Sequence, residues 1–177
     1  MHRVIVVHGE ISTDDIIPGK YKHMHADVAK LADHVFENRF PGLAGELRPG
    51  DVIWCDELFG IGSSREQAAT SLKAAGVECV LAPDFGRIFY RNAWNVGLPA
   101  VRCSPPPGLR DRTSMQIHWD SGRLETGGEE LTFASPAPRL MEIRQAGGLL
   151  PWLKGREWPP EGRSIQFTAE AWNVRPN

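Results

Sequence analysis

Between Asp51 and Cys103 the chain alternates short apolar runs with helical stretches, and this alternation restricts the fold more than any other feature. Asp51-Val52-Ile53-Trp54-Cys55, Val77 to Ala82 and Leu98 to Cys103 read as strands, bounded by glycine, proline or charged residues. Two helical stretches separate them. The first places Ala68, Ala69, Leu72 and Ala75 on one face, and the second, over Phe85 to Val96, turns Phe85, Ile88, Phe89 and Ala93 inward. Strand, helix and strand in this order predict right-handed parallel crossovers. Gly76 and Gly97 stand where the two helices must stop. Pro99 sets the third strand at an edge or marks its start, because proline cannot donate to a ladder. Arg3 to Val7, with four β-branched residues in a row, is a further buried strand.

The remaining segments are less regular. Ile11 to Tyr21 is a loop rich in turn formers that carries Thr13, Asp14 and Asp15. Adjacent acids in such a loop serve as a solvated turn or a helix cap, or supply a carboxylate that orients a catalytic group. Lys22-His23-Met24-His25 follows, with Asp27 close by, before a helix expected at about Ala26 to Asn38. His23 and His25 would share a face of an extended chain, but the spacing fixes no third ligand. A loop that touches substrate is the better functional reading. Arg39 to Gly50 is a connection. After the proline-rich linker from Ser104 to Arg112, short antiparallel strands are expected at 114–119, 123–126 and 131–134, then a late pair of helices around Leu140, Ile143 and Ala146 to Leu150. The tail from Gly155 is rich in proline, glycine and tryptophan.

Length and charge set bounds on function. At 177 residues the chain is expected to form one domain, with a core over about 3–154 and a tail at 155–177. Hydrophobic residues make up 41% and charged residues 24%, as in a soluble globular protein, and a formal net charge of −2 gives no reason to expect nucleic acid. The apolar start is too short for a signal peptide, so a cytoplasmic protein without a membrane segment is expected. Cys55, Cys79 and Cys103 are far apart and lie in or at the end of apolar runs, which makes them core thiols rather than ligands of an iron–sulfur cluster.

The chemistry concentrates in Phe59-Gly60-Ile61-Gly62-Ser63-Ser64-Arg65-Glu66-Gln67. Gly60 and Gly62 free the backbone to turn tightly and aim N–H groups at one point. Ser63 or Ser64 then caps the following helix, with Glu66 or Gln67 as the capping-box partner. A glycine-led helix start followed at once by Arg65 is suited to a carboxylate or phosphate. A plain capping turn with a surface arginine fits the same letters. The stretch lacks the Gly-x-Ser-x-Gly elbow of a serine hydrolase, and Gly60-x-Gly62 does not continue to the third glycine of a dinucleotide site. Arg87 and Arg91, one helical turn apart, are either solvated or face an anion or a partner.

Thr13-Asp14-x-Ile16-Ile17-Pro18, the turn from Phe59 to Glu66, Phe85-Gly86-Arg87-Ile88-Phe89-Tyr90-Arg91-Asn92 and Asn95-Val96-Gly97-Leu98-Pro99, in that order, resemble the small subunits of 3-isopropylmalate dehydratase, equivalent to the swivel domain of aconitase. The resemblance runs from about Val4 to Cys103 and more loosely to Leu153. It implies an α/β swivel domain: a small parallel-biased β-sheet flanked by helices, with a few additional antiparallel strands. It also implies a hydro-lyase acting on a malate-like 2- or 3-hydroxy acid, with a 4Fe–4S cluster on a separate large subunit, none bound by this chain, and no activity without that partner. In that family Ser63 would be the base, Arg65 would hold a substrate carboxylate, Ser64 would bind substrate or cap the helix, and Asp14 would orient catalytic groups. The loop at Tyr21 to His25 would choose the substrate through Lys22, His23 and Met24. It is neither as greasy as suits an isopropyl group nor armed with the arginine that suits homoaconitate, so homoaconitate or 2,3-dimethylmalate are alternative substrates. Gln67 replaces the histidine usual after Arg-Glu. A non-catalytic anion-binding module that has lost its partner is the reading from another class.

Overall fold

The computed structural model describes residues 1–21 and 28–155. The chain opens with strand β1 (His2–Val7), β2 (Ile11–Ser12), the short helix α1 (Thr13–Ile16) and a single 3-10 turn (Gly19–Tyr21). Helices α2 (Val28–Ala32) and α3 (Leu43–Glu46) come next. The alternating part comprises β3 (Val52–Cys55), β4 (Leu58–Ile61), α4 (Glu66–Ala74), β5 (Cys79–Ala82), β6 (Asp84–Phe85), α5 (Arg87–Asn95) and β7 (Ala100–Arg102). Strands β8 (Ser114–His118), β9 (Arg123–Thr126) and β10 (Glu129–Thr132) and helices α6 (Pro138–Gln145) and α7 (Leu149–Lys154) complete it.

A seven-stranded sheet runs in the order β10-β9-β8-β1-β3-β5-β7, parallel from β1 to β7 and antiparallel through β8, β9 and β10. The strand alternation divides the interior into two cores. Ile53, Cys55, Val80 and Ala82 face Ala68, Ala69 and Leu72 of α4 and Phe89 and Ala93 of α5. Val52, Trp54, Cys79 and Leu81 face the other way, onto Met115, Leu124 and Phe133. The sheet therefore curls so that its antiparallel end covers the face that the helices leave. Burial on both sides is the reason these strands are apolar at every position. β7 begins directly after Pro99, which marks its start, and lies at the sheet edge. Both crossover helices end as Gly76 and Gly97 predict. Val77 N–H bonds Leu72 O and Leu98 N–H bonds Ala93 O, with the glycines at φ +82° and +78°.

The structure corrects five expectations. Ile11 to Tyr21 is not simply a loop, since it holds β2 and α1; Ser12 and Asp15 form a capping box there, which fixes a one-turn helix. β3 does not lead directly into the glycine turn. The chain first enters β4, which pairs with β2 and β6 in a separate three-stranded parallel sheet, and this small sheet carries the turn. The second crossover helix begins at Arg87, because Phe85 belongs to β6, so its buried residues are Phe89, Ala93 and Trp94 while Ile88 is 43% exposed. The helix expected to reach Asn38 stops at Ala32, and the chain turns until Phe36, at φ +59°, sends its N–H to Ile16 O. Strand β10 also lies two residues earlier than the expected 131–134. No helix among the described residues is long and apolar enough to cross a membrane.

Candidate functional site

The glycine turn sits on an aromatic base. Phe59, fully buried in β4, meets Phe36, Phe85 and Phe89 at centroid distances of 6.4, 6.2 and 5.2 Å in edge-on geometry. Above it Gly60 and Gly62 take φ of +77° and +96°, conformations that an L side chain resists. Gly60 has a second constraint, since a Cβ there would lie 2.3 Å from Cγ of Phe89. The turn is thus pressed onto α5, and it delivers Ser63 and Ser64 to the surface.

Neither serine caps α4. The helix starts at Glu66 with Arg65 at the N-cap position and no side-chain cap, so the expected capping boxes are absent. The Ser63 hydroxyl is engaged elsewhere. Its Oγ lies 3.2 Å from Oγ1 of Thr13, and Thr13 Oγ1 also donates to the Ser63 carbonyl at 3.1 Å. The same carbonyl accepts the Arg65 N–H at 2.8 Å. Thr13 is 1% exposed, held on the first turn of α1.

The adjacent acids separate into two roles. Asp15 caps α1, accepting the Ser12 N–H at 2.8 Å and the Ser12 hydroxyl at 2.6 Å. Asp14, more exposed, accepts a hydrogen bond from Nη1 of Arg65 in an ion pair. Arg65 also reaches the Ile17 carbonyl, and its guanidinium lies over Gly19, where a Cβ would stand 3.2 Å from Nη2. Ser63, Arg65 and Asp14 are thereby brought to one place, where the end of β4 and the start of α4 meet α1. Lys22, His23 and Met24, with His25 and Asp27, lie outside the described residues, as do 156–177 of the tail.

A cluster that the sequence reading missed borders that stretch. Glu37 accepts hydrogen bonds from Lys20 Nζ at 2.6 Å and Tyr21 OH at 2.7 Å, and meets His34 Nδ1 at 2.7 Å. Tyr21 stacks on His34 with centroids 3.9 Å apart. Spacing alone could not signal a contact between a loop residue and the turn after α2. The hydrogen bonds from Lys20 and Tyr21, and to a lesser degree from His34, hold the Glu37 carboxyl down at about 2, against some desolvation. A carboxylate depressed in the folded state stabilises above its unfolded pKa and stops doing so as pH falls through its folded one. The Glu37 contacts are therefore expected to persist from neutral pH to below pH 4 and to open as pH approaches 2. A carboxyl carbon-13 titration checks this, and a midpoint near 4.5 would mean that the cluster does not form in solution.

The cysteines are free buried thiols on opposite sides of the sheet, Cys55 in the helix-side core and Cys79 and Cys103 in the other. Burial pushes Cys55 up to about 11 and raises Cys79 and Cys103 as well. They cannot converge on one ion. Among the described residues no group of three His, Cys, Asp or Glu side chains is placed to hold a metal. Arg87 and Arg91 are exposed on α5.

Comparison with known proteins identifies the family. The family model for the aconitase C-terminal domain matches residues 13–106, a span that begins at Thr13. The 3-isopropylmalate dehydratase small subunit 1 of Thermotoga maritima is 42% identical over 147 residues, covering 81% of this chain and 88% of its own. The corresponding small subunit 1 of Methanopyrus kandleri is 45% identical over 165 residues, covering 89% and 93%. The crystal structure of 3-isopropylmalate dehydratase from Methanocaldococcus jannaschii superposes with a TM-score of 0.81 at 35% identity, covering 88% of this chain and 93% of that one.

Proposed function

The chain belongs to the family of 3-isopropylmalate dehydratase small subunits, built on the aconitase C-terminal domain, and from that premise we propose that it supplies the base and the carboxylate clamp of a two-subunit hydro-lyase. The observation that carries the proposal is the convergence of Ser63, Arg65 and Asp14 at one surface where β4 gives way to α4, with buried Thr13 beneath Ser63. A large subunit would bind over this surface. The 4Fe–4S cluster belongs to that partner, since the thiols of this chain are buried on opposite sides of a sheet, and when bound it supplies a Lewis acid for the departing hydroxyl.

The residues of this chain do the rest. Arg65 grips a substrate carboxylate with its guanidinium N–H groups in this reading, supported by its ion pair with Asp14, which orients the guanidinium beside Ser63. Ser63, as the alkoxide, takes the proton from the carbon next to a carboxylate. The C–H electron pair becomes the new π bond as the hydroxyl leaves the neighbouring carbon. In the hydration direction Ser63 returns that proton. An unaided serine is too weakly acidic for this work, so the oxyanion needs the positive end of α4, the cation of Arg65 and a hydrogen-bond donor. Ser64, exposed next to the base, is available to bind substrate.

The substrate is a malate-like hydroxy acid, and the leucine-pathway isopropylmalate is the first choice because the relatives carry that name. Lys22, His23 and Met24 are proposed to select its substituent, which keeps homoaconitate and 2,3-dimethylmalate as the competing substrates. The deciding experiment is anaerobic turnover with a reconstituted large subunit over a panel of alkyl- and carboxyalkyl-malates. One preferred substrate is expected, with Arg65→Lys raising its KM about tenfold or more through loss of the bidentate grip. An intact, cluster-loaded complex that turns over nothing would reject the hydro-lyase reading in favour of a binding module.

A further inference from the structure

We infer that Thr13 is a positioning residue for the base, a buried hydroxyl that changes partners when Ser63 loses its proton. The inference rests on the reading of Ser63 as the base. Thr13 has one hydroxyl proton and two acceptors in reach, the Ser63 carbonyl at 3.1 Å and the Ser63 Oγ at 3.2 Å. With Ser63 neutral, the Thr13 proton goes to the carbonyl, and Thr13 Oγ1 accepts the proton of Ser63. With Ser63 ionised, its proton having gone to solvent water, Oγ of Ser63 can only accept, and the Thr13 hydroxyl rotates to donate to it. The rotation orphans nothing, because the Ser63 carbonyl keeps the Arg65 N–H at 2.8 Å. When the alkoxide takes a proton from the substrate carbon the hydroxyl turns back.

Three further features fit a donor held ready rather than one recruited from solvent. Thr13 is 1% exposed, so no water replaces it at low cost. Its backbone is fixed by the Ser12 and Asp15 capping box on one side and by the Ile17 N–H bonded to its carbonyl at 3.1 Å on the other. Gly62 presents no side chain to it, and a Cβ there would only just touch Oγ1, at 3.5 Å. A hydrogen bond to a charged atom is roughly twice as strong as the neutral one it replaces, so the exchange favours the ionised base.

The test compares Thr13→Val, Thr13→Ser and Ser63→Ala in the cluster-loaded complex, on the substrate the panel identifies. Four quantities are read: kcat, KM, substrate affinity by calorimetry and the pH profile of kcat. Thr13→Val is expected to lower kcat about 10- to 100-fold, as loss of one hydrogen bond to a charged group does, and to move the rising limb of the profile to higher pH. KM and affinity should stay within about twofold, and Thr13→Ser should restore most of kcat because it keeps the hydroxyl. Should Thr13→Val not fold, Thr13→Ala takes its place against Thr13→Ser. If the valine and serine variants lose kcat equally, or if the valine variant keeps the wild-type profile while Ser63→Ala is inactive, the inference is overturned and the base assignment stands. If Ser63→Ala itself keeps turnover, the underlying reading of Ser63 fails instead.

Discussion

Ser63→Ala is expected to lower turnover by about 10⁴-fold, the upper end of what one positioned base contributes, while the complex and its affinity for substrate are preserved. The two expectations have separate structural grounds. The hydroxyl is exposed and, among the described residues, bonded through Thr13 alone, so its removal empties no core and breaks no cap. The turn itself is held by Gly60 and Gly62 and by the Ser63 backbone, whose carbonyl still accepts the Arg65 N–H. Arg65 remains tied to Asp14 and available to a carboxylate. The variant should therefore melt close to wild type, co-purify with the large subunit and bind substrate, yet exchange no substrate proton with solvent. That combination is measured by calorimetry together with deuterium incorporation from heavy water. Loss of binding together with turnover would assign Ser63 to substrate recognition, and retention of exchange would move the base to the partner.

The legibility of this site in the sequence divides along physical lines. Local backbone chemistry was readable. Gly60 and Gly62 signal positive φ, Gly76 and Gly97 signal helix ends, and Pro99 signals an edge or the start of a strand, because each of these follows from the residue itself. The apolar runs at β3 and β5 read as strands of parallel crossovers, as the sheet shows them. What the letters hid was contact between distant segments. Ser63 looked like a helix cap because capping boxes are local patterns, whereas its actual partner is Thr13, fifty residues earlier. The two-residue strands β2 and β6 are too short for any periodicity, and only their pairing with β4 makes them strands. Asp14 and Asp15 could not be told apart by type; the capping geometry of Ser12 takes Asp15 and leaves Asp14 for Arg65. Ile88 reads as inward-facing only when the helix period starts at Phe85, which lies in a strand.

The same logic predicts that Gly86, which has no unusual backbone angle, is less replaceable than glycines that have one. Its φ of −55° suits any residue. The obstacle is approach: a Cβ would lie 2.2 Å from the Gly60 carbonyl oxygen, 2.8 Å from its carbon and 3.1 Å from the Ile61 nitrogen. All three are backbone atoms and cannot rotate away. Gly86 N–H is also bonded to Phe59 O at 2.8 Å, which pins β6 to β4 at that point. Gly86→Ala must push β4 and α5 apart, at a cost of about 3 kcal/mol, the upper part of the overpacking range. For a chain of this size that lowers Tm by about 6–12 °C. Gly127, by contrast, has φ +58° but open space around it, so Gly127→Ala should cost only about 1 kcal/mol of backbone strain. Because the displaced atoms belong to Gly60 and Ile61, the movement is passed directly to the turn that holds Ser63. Gly86→Ala complex should accordingly lose kcat well below the Tm of the variant, whereas Gly127→Ala should not. A lowered Tm with unchanged kcat would mean that the turn keeps its shape independently of α5, and an unchanged Tm would mean that β4 and β6 lie further apart in solution than their pairing requires.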